Sequence, residues 1–515
     1  MQIVPALFNQ YAQGNVRPNA WGLRVSFDKT FDPSVTFFTL NTSVLDGVDV
    51  LGPSDDNPIQ AWDYYLYKDY SDRIVSMSWD RELLFPYSVV SARADFEVSN
   101  TDDYFTPAGG SPIEDYILPK RPVRLLSGFG NMTVPQFVGL TQGMPVIGQR
   151  PKTAVFTALD FLTMIYEMNI RNTIAMQNVR TDEVLANIFQ QFGLAPEQYD
   201  LAKARNVIPF LFFERDQITA GEVIRKLMQA EMGMLWLSET GIIVFRPRLE
   251  QPTTSSYVFD TSSIVDLQVS SDDQIINQVN FTAELREVQE YQTVYLKSEG
   301  GTPNVVPANS TYVFQADLTD PCLTVEEPVI GEVSGVSWFT AENSNGDNIS
   351  LNVSVDSVEL KTNSYDIVFK NDNAFPVDIA QLELWGQPAK VYDTVLRTIE
   401  YPPSIEKYEI KPIPIDNNFI QEEDQMQSLG LTILDEYAEY ASILDLEVKG
   451  NPALQLGDIV EVDYKQYDGL YRIIKISNSL RDFKFTQIIK VKRYTPRDWF
   501  TLDQSVLNGT DVLAP

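Results

Sequence analysis

Residues 89–161 read VVSARADFEVSNTDDYFTPAGGSPIEDYILPKRPVRLLSGFGNMTVPQFVGLTQGMPVIGQRPKTAVFTALDF. Ala92, Ala94, Phe96 and Val98 alternate with Arg93, Asp95, Glu97 and Ser99. A period of two is the mark of a half-buried strand. Asn100, Thr101, Asp102 and Asp103 follow with side-chain oxygens suited to capping a turn. Pro119 and Pro122 flank Lys120-Arg121, and neither can donate to a strand ladder, so a strand entrance or edge is expected there. Val123 and Leu125, then Phe137 and Gly139, continue as two further strands around Gly128-Phe129-Gly130. Short antiparallel strands joined by such turns predict a small barrel or a strongly curled sheet.

Working outward, the chain has 515 residues, enough for roughly three to four domains. Hydrophobic residues make up 44% of it, and no run reaches the ~18 apolar residues of a membrane span. The start, MQIVPALFNQYAQGNVRP, has no basic head followed by a long apolar block, so no signal peptide is expected. Sequons such as those at Asn131, Asn309 and Asn508 are accordingly read as chance. Cys322 is the single cysteine, which excludes an intrachain disulfide and a cysteine-based zinc site.

The chain has no histidine. That removes the commonest general base, the usual nucleophile triads and most transition-metal sites. Paired carboxylates still permit glycoside hydrolysis. With 71 acidic side chains, however, proximity in sequence says nothing, and no enzyme, cofactor or metal is expected. A net charge of −32 argues against gripping nucleic acid, because phosphate binding needs a basic surface. It suits plain solubility first, and also a wall past which DNA slides.

Residues 38–53 read FTLNTSVLDGVDVLGP and residues 500–515 read FTLDQSVLNGTDVLAP, identical at 11 of 16 positions. This is a duplicated segment rather than a solenoid period. Phe38, Leu40, Val44, Leu45, Gly47, Asp49 and Leu51 correspond to Phe500, Leu502, Val506, Leu507, Gly509, Asp511 and Leu513. Either each copy seals its own subunit as a turn, or both are docking peptides that lay Val and Leu into equivalent grooves of neighbouring subunits. Between the first copy and the strands stand Trp62, Tyr64, Tyr65, Tyr67 and Tyr70, expected as core or interface. Asp55-Asp56 and Asp102-Asp103 lack the regular oxygen spacing of a calcium loop and are read as solvated turns.

From Leu159 the pattern changes. TDEVLANIFQQFG predicts a helix with Thr181 as N-cap, Val184, Leu185, Ile188 and Phe192 on one face, and Gly193 as its stop. NVIPFLFFE follows as a strand, then a second capped helix over 219–232 ended by Gly233, then a hairpin, MLWLSETGIIVFRPR. Helix, strand, helix and hairpin make an α+β unit.

The segment AGEVIRKLMQAEMGMLWLSETGIIVFRPR resembles the hub proteins of phage tails and related contractile injection machines. ADFEVSNTDDYFTP, with ILPKRPVRLLSGF and QFVGL, looks like the first barrel of siphophage hub and minor tail proteins. SSDDQIINQVNF looks like the strand that re-enters the barrel region, and NPALQLGDIVEV is similar to the family's second-barrel strand. The order of these motifs, over most of residues 75–300 and 405–495, carries the resemblance. It implies a homotrimeric ring of paired barrels at the distal end of the tail tube. Such a hub contacts the distal tail or tube protein, the tape-measure protein and fibres or a spike, and lines the channel for passing DNA. The chain would be made in the host cytoplasm and reside at the tail tip of the virion.

Residues 301–400 depart from the minimal hub pattern. Alternating segments such as SLNVSV and SYDIVFK, spaced by polar turns, predict an inserted β-sandwich. It would decorate the hub or, in an alternative reading of the whole chain as a tail-tip adhesin, bind a host carbohydrate. A long helix over 421–441, with Met426, Leu429, Ile433, Leu434 and Tyr437 inward, then leads to SILDLEVKG, DIVEVDY, GLYRIIKISNSL and FTQIIKVKRY, a second barrel. The expected fold is thus α+β, mainly β: two small antiparallel β-barrel hub domains, an intervening α+β unit and an inserted β-sandwich. The expected division is an arm (1–80), first barrel (81–165), α+β unit (166–250), returning strands (251–300), insertion (301–400), helix and second barrel (401–496) and C-terminal arm (497–515).

Overall fold

The strand predicted from Ala92–Val98 forms as Arg93–Ser99, and its even-numbered side chains are buried while the odd ones reach solvent. Asn100 caps the following turn as its chemistry requires: Oδ1 accepts from the Phe105 backbone N–H (2.8 Å) and Nδ2 donates to Thr106 Oγ1 (2.9 Å). In the computed structural model, residues 1–14, 17–30, 65–83, 88–248, 255–271, 275–298, 304–440, 442–482 and 484–494 are described.

The strands used below are β1 (Asn19–Val25), β2 (Ile74–Glu82), β3 (Arg93–Ser99), β4 (Pro122–Phe129), β5 (Met132–Thr141) and β6 (Thr153–Asp160). The α+β unit contains α1 (Phe161–Glu167), α2 (Thr181–Gln191), α3 (Ala220–Glu231), β7 (Met234–Leu237) and β8 (Ile243–Arg246). Beyond it come β9 (Ile264–Ser271), β10 (Gln278–Val288), β11 (Gln292–Lys297), β12 (Trp338–Glu342) and β13 (Val377–Glu400). The chain continues with α4 (Glu423–Tyr437), β14 (Ser442–Val448), β15 (Gly469–Arg481) and β16 (Lys484–Arg493).

The class is as expected, mainly β with helices, but two separate barrels are not what the pairing makes. Among the described residues no closed barrel is detected. One 14-stranded sheet instead runs β9–β14–β16–β15–β2–β3–β6–β5–β4–β1 and on to Lys68–Asp69, with the short strands Val146–Ile147, Tyr257–Asp260 and Ile459–Asp463 pairing off this path. The cause is β2, which pairs with β3 on one edge and with β15 on the other, Ser76 facing Arg481 and Glu82 facing Lys475. Both edges of an interior strand must be hydrogen-bonded, and here the two partners come from opposite ends of the chain. Under one half of this sheet lie Leu23, Met77, Phe96, Leu125, Phe137 and Phe156. Under the other lie Phe259, Leu446, Val462, Tyr471, Ile473 and Ile489.

Four predicted boundaries shift, the helix expected over 421–441 among them, which runs only Glu423–Tyr437. Phe129 belongs to β4 and is fully buried, so the tight turn to β5 falls at Gly130-Asn131. Thr181 is the first residue of α2 and buried; Arg180 occupies the N-cap, its N–H donating to Glu183 Oε2 (2.9 Å). Thr219 does cap α3. At the far end Met232, rather than Gly233, takes the left-handed conformation. The two helices pack with α4 and with Phe281 and Ile399 of β10 and β13 into one apolar core.

β13 is 24 residues long and serves two cores. Its first part pairs with β11 and β12 above a core of Phe314, Phe339, Ile367, Phe369 and Leu382. That core is closed on its other side by a three-stranded sheet, so two sheets face each other. Its last part, from Ala389 to Glu400, pairs with β10.

Gly430 lies inside α4, where glycine costs about 1 kcal/mol against alanine. Packing explains it: an added Cβ would collide with Ile399 Cδ1 and lie 3.1 Å from Phe281 Cε2. Gly430→Ala is therefore expected to destabilise the chain by about 1–2 kcal/mol despite the better helix propensity. A raised denaturant midpoint would show that the helix, not its contact with β13, limits stability.

Candidate functional surface

Along β9, β14, β16, β15, β2, β3 and β6 alternate side chains point away from the two cores, and register aligns them in rows. One row runs Gln268, Asp445, Lys490, Lys475, Glu82; a second runs Glu447, Ile488, Ser477, Asp80, Arg93, Leu159. A third carries Thr486, Ser479, Ser78, Asp95 and Thr157. The sequence reading anticipated an acidic wall. On these rows carboxylates outnumber cations, Asp80, Glu82, Asp95, Asp445 and Glu447 against Arg93, Lys475 and Lys490, with hydroxyls between them, and each cation is paired: Lys475 with Glu82 (2.7 Å), Arg93 with Asp95 (3.1 Å) and Lys490 with Asp445 (3.9 Å). The carboxyl of Asp80 is pushed up, first by partial burial and then by Asp95 and Glu82, against the pull of Lys475 and Arg93.

Behind that face a buried polar joint fixes the α+β unit to the sheet. Arg81 points inward with Met77 and Trp79, and its Nη1 pairs with Glu239 at the turn of the β7–β8 hairpin. Its Nη2 donates to the Gln136 carbonyl (3.1 Å). Gln455 Nε2 donates to the other oxygen of Glu239 (2.6 Å), and the Gln455 N–H donates to Asp458, which also pairs with the amine of Met1. Arg81 and Glu239 side chains are only 4% and 6% exposed, so each needs the other. Nearby, Asp160 caps α1 through the Thr163 N–H (3.3 Å) and accepts from the Ala92 N–H (2.7 Å). Its burial raises the carboxyl to about 6, against those donors and the Arg81 charge.

All fourteen residues singled out in the duplicated segment, Phe38 to Leu51 and Phe500 to Leu513, lie outside the described residues, as do Trp62, Tyr64 and Asp55-Asp56. Of the aromatic group, Tyr70 is core, packed against Phe27 and Phe105, and Tyr67 lies under the Arg124 guanidinium (4.4 Å). Asp102 and Asp103 are engaged by Arg73 (2.8 Å) and Lys152 (2.6 Å). Arg73 draws the Asp102 carboxyl down to about 2. Among the described residues no group of three or more potential metal ligands comes together. Cys322 is buried and its thiol is pushed up to about 12 by that burial.

Sequence reasoning passed over Arg81 and Glu239. The available signal was parity: Arg81 shares the inward phase of Met77 and Trp79, which an unpaired arginine would not hold.

No family model matches the sequence, and no curated protein matches it. Solved structures do. The tail protein from Neisseria meningitidis MC58 is 10% identical, with 83% of this chain and 94% of that one covered and a TM-score of 0.45. The 43 kDa tail protein of prophage MuSo2 from Shewanella oneidensis is 10% identical over 83% and 96%, with a TM-score of 0.44. The E. coli c3393 protein, a type VI secretion component described as similar to T4 tail proteins gp27 and gp5, is 9% identical over 83% and 78%, with a TM-score of 0.36.

Proposed function

We propose that this chain is a structural virion protein, the hub at the distal end of a phage tail. It would join the tail tube to the tip components and line the DNA exit channel. The observation that carries the reading is the single sheet built from residues near both ends of the chain, with rows of mostly polar side chains running across seven of its strands, from β9 to β6. Cations on that face are matched by carboxylates, as Lys475 by Glu82, so a phosphate would have to displace an existing partner to bind. A surface of paired charges and hydroxyls suits a channel wall that DNA passes without sticking. The role is scaffolding rather than catalysis.

The assembly is a homotrimer, with the distal tail or tube protein, the tape-measure protein and fibres or a spike as partners. The two copies of FTLxxSVLxGxDVLxP act as docking peptides between subunits or layers. One copy falls between β1 and Lys68–Asp69, the other follows β16, so the two issue from different halves of the sheet.

Negative-stain imaging of the concentrated protein is expected to give three-fold rings with a central hole. Deleting residues 505–515 is expected to leave a folded chain that fails to enter tails. Truncated chain found in infectious particles at the normal level would remove the docking role. Persistent elongated monomers, alone and with the tube protein, would remove the hub.

A further inference from the structure

The outward face of the β11–β13–β12 sheet carries a constellation that the hub role does not use. Register places Trp338 and Leu296 on either side of Glu383, and Thr293 opposite Trp385. Residues opposite one another across antiparallel strands share a face. Three neutral donors converge on the one carboxylate: Thr293 Oγ1 (2.7 Å) and Trp385 Nε1 (2.9 Å) on Oε1, and Trp338 Nε1 (2.9 Å) on Oε2. The two indoles are thereby held leaning toward Glu383. Trp338 is buried and serves to position the carboxylate, whereas Trp385 is partly open to solvent. Beside them Leu296 is 60% and Tyr291 45% exposed, and the Tyr291 hydroxyl is 2.9 Å from Thr324 Oγ1.

We propose that this face binds a neutral saccharide, with the C–H face of a sugar ring on the Trp385 indole and Leu296, and a sugar hydroxyl donating to Oε2 of Glu383. The arrangement supplies what such a ligand needs: a flat apolar platform beside a fixed acceptor. Oε2 takes one donor where Oε1 takes two, leaving it the better acceptor for a further hydroxyl. These donors also pull the Glu383 carboxyl down, Thr293 first, so the acceptor stays ionised. None of the side chains named on this face is cationic, and the chain carries a net charge of −32, so acidic glycans and nucleic acids are repelled. A second copy of the same face would set Glu383 against Glu383, a like-charge contact in a desolvated interface. The inference is independent of the hub reading, since none of these residues lies in the 14-stranded sheet that carries it.

The test uses the full chain on an array of neutral oligosaccharides of glucose, galactose, N-acetylglucosamine and N-acetylgalactosamine, with sialylated counterparts, followed by calorimetry on any hit. Binding to at least one neutral member is expected, weakened about tenfold or more in Trp385→Ala. Leu296→Asp changes an exposed position, keeps the Glu383 network, and is expected to weaken binding likewise without lowering the melting temperature. Failure of the wild type to bind any neutral member would overturn the proposal. So would a preference for the sialylated members, or binding untouched by both substitutions.

Discussion

Arg81→Met is expected to lower stability by about 3–5 kcal/mol, the largest loss from any single substitution considered for this chain. The substitution leaves the Glu239 carboxylate in a site where its side chain is 6% exposed, with Gln455 as its remaining donor. It also strips the Gln136 carbonyl of a partner. Most of the cost is the stranded charge rather than the lost attraction, which sets up a control. Arg81→Met with Glu239→Leu removes both charges and is expected to recover the greater part of the loss. Urea titration followed by tryptophan fluorescence reads this directly, because Trp79 and Trp236 sit in the two strands that the pair joins. A loss under about 1 kcal/mol for the single variant would mean that water reaches Glu239 and that the joint is held by packing alone.

Acidification from pH 7.5 to 4.5 is expected to increase the stability of the wild type relative to Asp160→Asn by about 2 kcal/mol. The sign follows from the raised carboxyl. Burial moves Asp160 from its ordinary 3.8 to about 6 in the folded chain. Between those values the folded state holds a proton that the unfolded state releases. The group's favourable contribution is therefore complete below about pH 4 and lost as pH rises through about 6. The asparagine variant does not titrate there, and other carboxylates cancel in the difference. Asparagine also puts an N–H donor against either the Ala92 or the Thr163 N–H, so the variant is weaker at both pH values. A wild-type advantage constant with pH would show that the buried donors keep Asp160 ionised throughout. The two experiments are coupled: Arg81 is among the groups that hold the Asp160 carboxyl down, so Arg81→Met moves the pH window upward.

Much of the local structure was legible in the residues. Alternation in β3, the Asn100 turn, the Thr219 cap of α3 and the β7–β8 hairpin each depend on neighbours within a few positions, and each forms where its chemistry placed it. The α2 cap slipped by one residue: Thr181 is the buried first residue of the helix, and Arg180 holds the cap position. The duplicated segment was legible only as a duplication.

Residue types and periodicity alone establish that the chain is mainly β, that an α+β unit interrupts the strands, and that histidine chemistry, an intrachain disulfide and a cysteine-based zinc site are excluded. Strand periodicity reports which face of a strand is buried and says nothing of which strand lies at its edge, because backbone hydrogen bonds are the same for every residue but proline. That β2 joins β3 to β15, and so merges two strand groups into one sheet, therefore comes from long-range packing. The same holds for side-chain partners distant in sequence. Arg81 meeting Glu239, and Trp338 and Trp385 meeting on Glu383, follow from register and packing, which no local spacing encodes.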